Sequence, residues 1–157
     1  MKITLLVTGK TNERFLKEGI ELYTKRLVRY CDFNVIEIPQ IKKIKNTGKE
    51  IRKILEGEKI LTRVTPEKEL HLFDEHGTDY SSPEFAAFIE KKMISGIKEL
   101  IFVIGGPYGF SEEVFQRATS KISLSRMTFS HQLARLLCIE QIYRAFTIIG
   151  GEPYHND

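Results

Sequence analysis

Five short segments carry the apolar runs or the apolar–polar alternation that is typical of β-strands. They are Lys2–Thr8, Phe33–Ile38, Glu69–Phe73, Leu100–Ile104 and Lys121–Ser125. Leu100–Ile104 (LIFVI) is uninterruptedly apolar, which indicates a strand that is covered on both faces of a parallel sheet. Phe33–Ile38 (FNVIEI) alternates before Pro39, so we predict a strand near an edge of the sheet.

The stretches between these strands have apolar residues at helical spacing. We predict helices that begin at Thr11 or Asn12, after the segment Ile41–Lys53, at Ser82, at Ser111 and at Ser130, and that end near Tyr30, Leu61, Gly96, Thr119 and Gly150. The predicted inward positions are Ile51, Ile54, Leu55 and Leu61 in the second helix and Leu133, Leu136, Leu137, Glu140, Tyr143 and Phe146 in the last. Asp74–Gly77 is predicted to be a turn. The order βαβαβαβαβα predicts an α/β fold, a parallel sheet of five to six strands with helices on both faces, in a single domain over residues 1–157.

The apolar strand Leu100–Ile104 leads into Gly105–Gly109 (GGPYG), a loop with three glycines and a proline. Glycine permits positive φ and close approach of a ligand to the backbone. In open α/β sheets, ligands bind beyond the carboxyl ends of strands. The spacing is neither that of a dinucleotide fingerprint nor that of a phosphate loop, so a tight turn and a ligand-binding loop both remain open.

Composition and charge narrow the class of protein. The 157 residues are 41% hydrophobic with a net charge of +3, which suits one domain and permits nucleic-acid binding without requiring it. Cys31 and Cys138 form no disulfide framework, and no spacing suggests zinc. The opening apolar run is too short for a signal peptide, and no stretch is long enough to span a bilayer, so we expect a cytoplasmic protein without a metal.

The segment Ile41–Lys53 is rich in basic residues. It contains Lys42, Lys43, Lys45, Lys49, Arg52 and Lys53. Such runs are usually a solvated loop and the polar face of a helix. The alternative is contact with RNA phosphates, which would make RNA affinity depend on salt.

Four polar residues near the carboxyl terminus could carry chemistry: His131, Arg144, Tyr154 and His155. Each also has a structural interpretation, as a packing histidine, a solvated charge or part of a chain end. The chain has no Gly-x-Ser-x-Gly elbow and no paired-carboxylate motif, and their absence disfavours hydrolysis through a covalent intermediate.

Two longer strings extend this interpretation: FVIGGPYGF at Phe102–Phe110 and LSRMTFSHQLARLLCIEQIYRAFTIIGGEPYH at Leu124–His155. With the opening KITLLVTGK, they resemble the ribosomal RNA large subunit methyltransferase H family over essentially the whole chain. This family is the small member of the SPOUT class and methylates N3 of a pseudouridine in 23S ribosomal RNA. The resemblance implies a homodimer with a trefoil knot in its carboxyl half and S-adenosylmethionine bound in that knot. Because a net charge of +3 gives a monomer little electrostatic hold on RNA, we expect the assembled ribosome to be the substrate.

The resemblance also implies roles for particular residues. The cofactor contacts would be Phe73, Gly105, Leu124, Ser125, Arg126, Met127, Thr128 and Phe129. In this family the tail is thought to complete the site of the partner subunit. Because N3 must lose a proton, the catalytic candidates are His155 as base or orienting group, Tyr154 as a stacking or hydrogen-bonding partner, and Arg144 on a phosphate or a developing negative oxygen. His131 is expected to be structural. Relatives often have leucine at position 73 and proline at position 130. Two alternatives remain: a SPOUT methyltransferase acting on another RNA such as tRNA, and a non-catalytic ribosome-binding module.

Overall fold

The five predicted strands and the five predicted helices form in the predicted order. The structure is a computed structural model and describes residues 1–41 and 48–155, so Lys42, Lys43 and Lys45 of the basic segment lie outside the described residues. The elements are β1 Lys2–Thr8, α1 Arg14–Leu27, β2 Asp32–Ile38, α2 Lys49–Leu61, β3 Glu69–Asp79, α3 Ser82–Ile94, β4 Glu99–Ile104, α4 Glu112–Arg117, β5 Ser120–Ser123 and α5 His131–Ile149.

The described strands form one sheet in the order β2-β1-β4-β3-β5, and every pairing is parallel. The central strand β4 is buried from Leu100 to Ile104, as its apolar run predicted. β2 lies at an edge, which confirms the prediction from its alternating pattern. The register pairs Lys2 with Glu99, so β1 and β4 start level with each other.

Helices cover both faces of the sheet, as the βα order predicted. On one face, the buried residues Leu27 of α1, Ile89 of α3 and Ile142 of α5 belong to one apolar cluster with β1 and β4. On the other face, Ile60 of α2 and Val114 of α4 form a second apolar cluster with the buried strand residues that point towards these helices. The trefoil knot that the resemblance implies stays a prediction.

Strand β3 corrects one prediction, because Asp74–Gly77 is part of the strand and not a turn. Pairing with β5 shifts register between Phe73 and Thr78, so the polar residues bulge and the strand resumes at Thr78. Asp74 Oδ1 accepts from the His76 N–H at 2.9 Å, a short-range bond also common in turns. A Cβ on Gly77 would lie 2.5 Å from the backbone nitrogen of Ile122, so only glycine fits there.

The ends of several elements also differ from the prediction. Helix α1 begins at Arg14, and its N-cap Glu13 makes no capping bond through its side chain. Helix α3 is capped by Ser81, not Ser82, because Ser81 and Glu84 form a reciprocal capping box. Helix α4 and strand β5 are shorter than predicted, whereas Ser130 caps α5 as predicted.

The inward faces of α2 and α5 were predicted only in part. Ile51 and Ile54 are exposed, and α2 instead buries the face with Glu56, Gly57 and Ile60. Apolar residues occur on both faces of α2, so periodicity alone chose the wrong one. Of the predicted inward residues of α5, only Phe146 is fully buried. The other buried positions of this helix are Arg135, Cys138, Ile139, Ile142, Ala145 and Thr147.

Candidate active site

A cleft of about 380 Å³, here called the strand-end cleft, opens beyond the carboxyl ends of β3, β4 and β5. It is lined by Phe73, Asp74, Glu75, Ile104, Gly105, Gly106, Pro107, Gly109, Phe110, Leu124, Ser125, Met127, Thr128, Phe129, Ser130, His131 and Ala134. This position is where parallel α/β sheets bind ligands. Seven of the eight predicted cofactor residues therefore line one cleft.

Arg126 is the exception among those eight residues. Its side chain is 91% exposed and its Nε lies 3.1 Å from Asp79 Oδ2, so it forms a surface ion pair and does not line the strand-end cleft. The Asp79 carboxylate belongs to the end of β3, the part of the strand that was predicted to lie beyond a turn. The sequence thus gave no signal for this pairing.

The glycine loop forms one wall of the strand-end cleft and is also a tight turn. Gly109 has φ of +77° and its N–H donates to the Gly106 carbonyl at 3.1 Å. A Cβ on Gly105 would lie 3.1 Å from the Phe110 ring. The tight turn is therefore confirmed, and it brings backbone to the cleft; a ligand-binding role of this loop stays a prediction.

The loop between β5 and α5 forms the opposite wall. Ser125 shapes it: the Met127 N–H donates to Ser125 Oγ at 3.0 Å, and Ser123 Oγ donates to the Ser125 carbonyl at 3.1 Å. Met127 is 75% exposed and Phe129 37% exposed, yet both line the cleft. Large apolar side chains left uncovered around a cleft indicate a binding site for a ligand with an apolar face.

The three predicted catalytic residues meet elsewhere, around the carboxylate of Glu140. Glu140 Oε1 accepts from Arg144 Nη2 at 2.7 Å, from Arg144 Nε at 3.1 Å and from the Tyr154 hydroxyl at 3.1 Å. Arg144 Nη1 lies 3.2 Å from His155 Nδ1, and the Tyr154 hydroxyl lies 3.2 Å from that of Tyr23. We call these five residues the tail cluster. Glu140 had been predicted only as an inward position; its i,i+4 spacing to Arg144 was the available signal.

The electrostatics of the tail cluster keep Arg144 and Tyr154 protonated. Hydrogen bonding to Glu140 raises the pKa of Arg144. Burial, the hydrogen bond with Tyr23 and the charge of Glu140 raise the pKa of Tyr154 well above its ordinary value. Because a guanidinium only donates, His155 Nδ1 is the acceptor in its contact with Arg144.

Within one chain, the strand-end cleft and the tail cluster are apart. No tail-cluster residue lines the cleft. Ala134 lines it, and Arg144 follows ten residues later on α5, which is about 15 Å along the helix axis at 1.5 Å per residue. The two predicted groups of site residues are thus each assembled but not brought together.

His131, in the first turn of α5, lines the strand-end cleft, and burial together with the Arg135 charge lowers the pKa of its imidazole.

Residues 1–41 and 48–155 contain no cluster of three or more His, Cys, Asp or Glu that could hold a metal. No helix in this part of the chain is long and apolar enough to cross a membrane.

The parallel sheet with helices on both faces and a cleft at its strand ends defines the α/β class of proteins, which bind ligands at this edge of the sheet. The family described as "Predicted SPOUT methyltransferase" matches residues 1–155, and the chain belongs to this family. This confirms the SPOUT class that the motifs predicted.

Curated proteins similar over their whole length carry the name "Ribosomal RNA large subunit methyltransferase H". The chain is 52% identical to the one from Christiangramia forsetii over 156 residues, 99% of each chain. It is 51% identical to that of Flavobacterium psychrophilum over 156 residues, 99% of each. It is 50% identical to that of Parabacteroides distasonis over 157 residues, 100% of each.

Proposed function

We propose that this protein transfers a methyl group from S-adenosylmethionine to N3 of a pseudouridine in 23S ribosomal RNA, acting in the cytoplasm on the assembled ribosome. The observation that carries the proposal is the strand-end cleft, whose walls include Phe73, Gly105 and most of Leu124–Phe129 in a SPOUT chain. About 50% full-length identity to proteins named for ribosomal RNA methylation supports the substrate.

The residues of the strand-end cleft fit S-adenosylmethionine. Leu124, Met127 and Phe129 offer apolar contact for an adenine ring, and Gly105 leaves backbone accessible. The volume of about 380 Å³ falls in the ~300–1,000 Å³ range of small-molecule sites. When bound, the cofactor supplies an electrophilic methyl group. The chain's task is to hold the acceptor nitrogen in line with that group and to exclude water.

The tail cluster fits the acceptor side of the reaction. The imide N3 of pseudouridine must lose its proton, to His155 or to solvent water, which leaves negative charge on the base until N3 bonds to the methyl group and S-adenosylhomocysteine departs. Arg144, whose cationic form Glu140 stabilises, would stabilise that charge. Tyr154 stays protonated, with its one hydroxyl proton donated to Glu140, and would stack on the base, while His155, held by Arg144, would orient the base or accept the N3 proton.

The separation of the two groups supports a homodimer in which the tail of one copy completes the cleft of the other. Leu133 and Leu137 of α5 are half-buried, and neither packs against the two apolar clusters of the described chain. An antiparallel contact between α5 of two copies, centred at the height of Ile139, would bury these leucines. It would also bring Arg144 of one copy to the height of Ala134 in the other.

The proposed function is tested by methylation of intact ribosomes, free 23S RNA and tRNA from a strain that lacks the gene, with the product mapped by mass spectrometry. We expect one N3-methylpseudouridine, in 23S RNA and only in the intact ribosome. Methylation of tRNA would support another RNA substrate instead. Ribosome binding without methyl transfer would support a non-catalytic module.

The composite site is tested by mixing two variants, Gly105→Val and His155→Ala, under conditions that exchange subunits and at a cofactor concentration at which each variant alone is inactive. If each site uses the cleft of one copy and the tail of the other, mixed dimers contain one intact site. Random exchange should then restore about a quarter of wild-type activity, because half of the dimers are mixed and each has one of two sites. No recovery beyond that of either variant alone would refute the arrangement.

A further inference from the structure

A second cleft, here called the Lys10 cleft, opens at the carboxyl ends of β1 and β2. Its volume is about 430 Å³, and its polar lining includes Lys10, Asn12, Glu37, Gln40, His131 and Gln132. His131 also lines the strand-end cleft. A ligand in the Lys10 cleft would therefore be a direct neighbour of the methyl donor.

The loop at the edge of the Lys10 cleft is held in place by Gln132. The Asn12 N–H donates to Gln132 Oε1 at 3.0 Å, and Gln132 Nε2 donates to the Lys10 carbonyl at 2.9 Å. These bonds join the segment before α1 to the first turn of α5. The cleft thus lies at the amino-terminal ends of two helices of 14 and 19 residues, where the helix dipoles favour an anion.

A buried cation stands behind the same loop. Arg135 is 1% exposed and donates to Thr11 Oγ1 at 2.9 Å and to the Thr8 carbonyl at 2.6 Å. Within residues 1–41 and 48–155 it forms no ion pair, and its Nε has no hydrogen-bond partner. Thr8, which lines the cleft and is 3% exposed, also has a buried hydroxyl without a partner there.

The charges around the Lys10 cleft favour an anionic ligand. Glu37 is the acid among the lining residues, and its Oε1 already accepts the Thr11 N–H at 3.0 Å. Against it stand Lys10, which has no ion pair in the described part of the chain, the buried Arg135 and the two helix ends. The sum is a positive potential in the Lys10 cleft, in contrast to the strand-end cleft, whose charged lining residues include Asp74 and Glu75.

We propose that the Lys10 cleft binds a phosphate-bearing nucleotide of the substrate RNA beside the methyl donor. Lys10 and the two helix ends would receive the phosphate. The side-chain amides of Asn12 and Gln40, which make no hydrogen bond to other described residues, would contact the ribose or base. The inference rests on the proposed function, because it takes the occupant of the neighbouring strand-end cleft to be the methyl donor.

The first test is a titration that needs no turnover. Uridine 5′-monophosphate is added to the dimeric protein saturated with S-adenosylhomocysteine, and backbone amide NMR shifts are followed. We expect saturable shifts at Gly9–Asn12 and His131–Gln132, smaller ones with uridine, and their loss in Lys10→Ala. The matched control is Lys91→Ala, an exposed lysine of α3 near the opposite edge of the sheet, which should leave the shifts unchanged.

The absence of saturable shifts at these residues, or equal shifts in Lys10→Ala, overturns the inference. Shifts of the same residues on deletion of the chain beyond Pro153, without any response to the nucleotide, would show that the tail of a second copy occupies the cleft. That result overturns the inference as well.

The second test measures ribosome methylation. Lys10→Ala should raise the KM for ribosomes about tenfold, as for loss of a hydrogen bond to a charged group, with S-adenosylmethionine affinity changed less than twofold. The salt slope of log kcat/KM should fall by about 1, and Lys91→Ala should change neither value. Absence of methylation by the wild-type protein refutes the proposed function while the titration still decides the ligand; wild-type kinetics of Lys10→Ala refute only the inference.

Discussion

The strand-end cleft and the tail cluster are built by different parts of the polypeptide. The cleft is walled by turns, with apolar side chains such as Met127 and Phe129 among polar ones, and its glycine loop is shaped by φ of +77° at Gly109 and close packing at Gly105. The tail cluster consists of polar side chains that share the Glu140 carboxylate. Cofactor binding should therefore depend on backbone shape, and methyl transfer on individual polar groups.

The largest expected effect is on the tail cluster. Arg144→Ala removes the cation proposed to stabilise the charged base, and kcat should fall about 10²- to 10³-fold, as for loss of an oxyanion-hole donor. Calorimetry should give unchanged S-adenosylmethionine affinity. Arg63→Ala, at an exposed position after α2, is the control and should keep wild-type kcat. Weakened cofactor binding in Arg144→Ala would remove the distinction between the two regions.

The complementary change is Gly105→Val in the strand-end cleft. Its side chain must displace the Phe110 ring, because even a Cβ would lie 3.1 Å away. An overpacking cost of ~1–3 kcal/mol corresponds to a loss of cofactor affinity of about 5- to 150-fold, measured by calorimetry. Gly48→Val is the control, because nothing lies within 4 Å of a Cβ there. Full affinity in Gly105→Val would mean that the glycine loop does not bound the cofactor.

A smaller effect is expected from Tyr154→Phe, which removes a hydroxyl bonded to Glu140 and Tyr23. One net hydrogen bond of ~0.5–1.5 kcal/mol corresponds to a decrease in kcat of up to about tenfold. Because its pKa is raised, Tyr154 stays protonated from pH 6 to 9, so the pH profiles of variant and wild type should be parallel in that range. A limb that disappears in the variant would show that Tyr154 titrates during catalysis.

The smallest expected effect belongs to Arg126→Ala. Its guanidinium pairs with Asp79 at the surface, and exposed ion pairs contribute ~0–1 kcal/mol. Cofactor affinity should therefore change less than threefold. Asp79→Ala, which removes the other half of the pair, should have an equally small effect. A tenfold loss in Arg126→Ala alone would indicate that this residue turns towards the cofactor on binding.

The fold could be predicted from the sequence where one pattern dominates. The apolar run of β4 and the alternation in β2 each allow one structure, and both predictions are confirmed. Asp74–Gly77 misled because its polar, glycine-containing sequence is typical of turns, and only the pairing with β5 keeps it in a strand. Apolar residues on two faces of α2 likewise left its orientation to tertiary packing.

The candidate site was predictable through its family motifs more than through single residues. The motifs indicated Gly105 and Leu124–Phe129, yet the outward position of Arg126 depends on Asp79, which is 47 residues away in sequence. The role of Glu140 depends on how the chain after α5 folds back onto it. Such contacts join segments that are far apart in sequence and share no local pattern. Local sequence patterns therefore do not predict them.

The pairing of Lys2 in β1 with Glu99 in β4 also affects how the chain folds while it is being synthesised. One side of β1 cannot pair until β4 has been synthesised, after most of the chain, and each closure of this kind slows folding. At ~5–20 residues per second, synthesis leaves the apolar segment Ile3–Val7 of β1 without β4, its neighbour in the sheet, for roughly 5–20 s. During that interval the nascent chain presents an unpaired strand edge. Chaperones at the ribosome should therefore bind it before β4 pairs with β1.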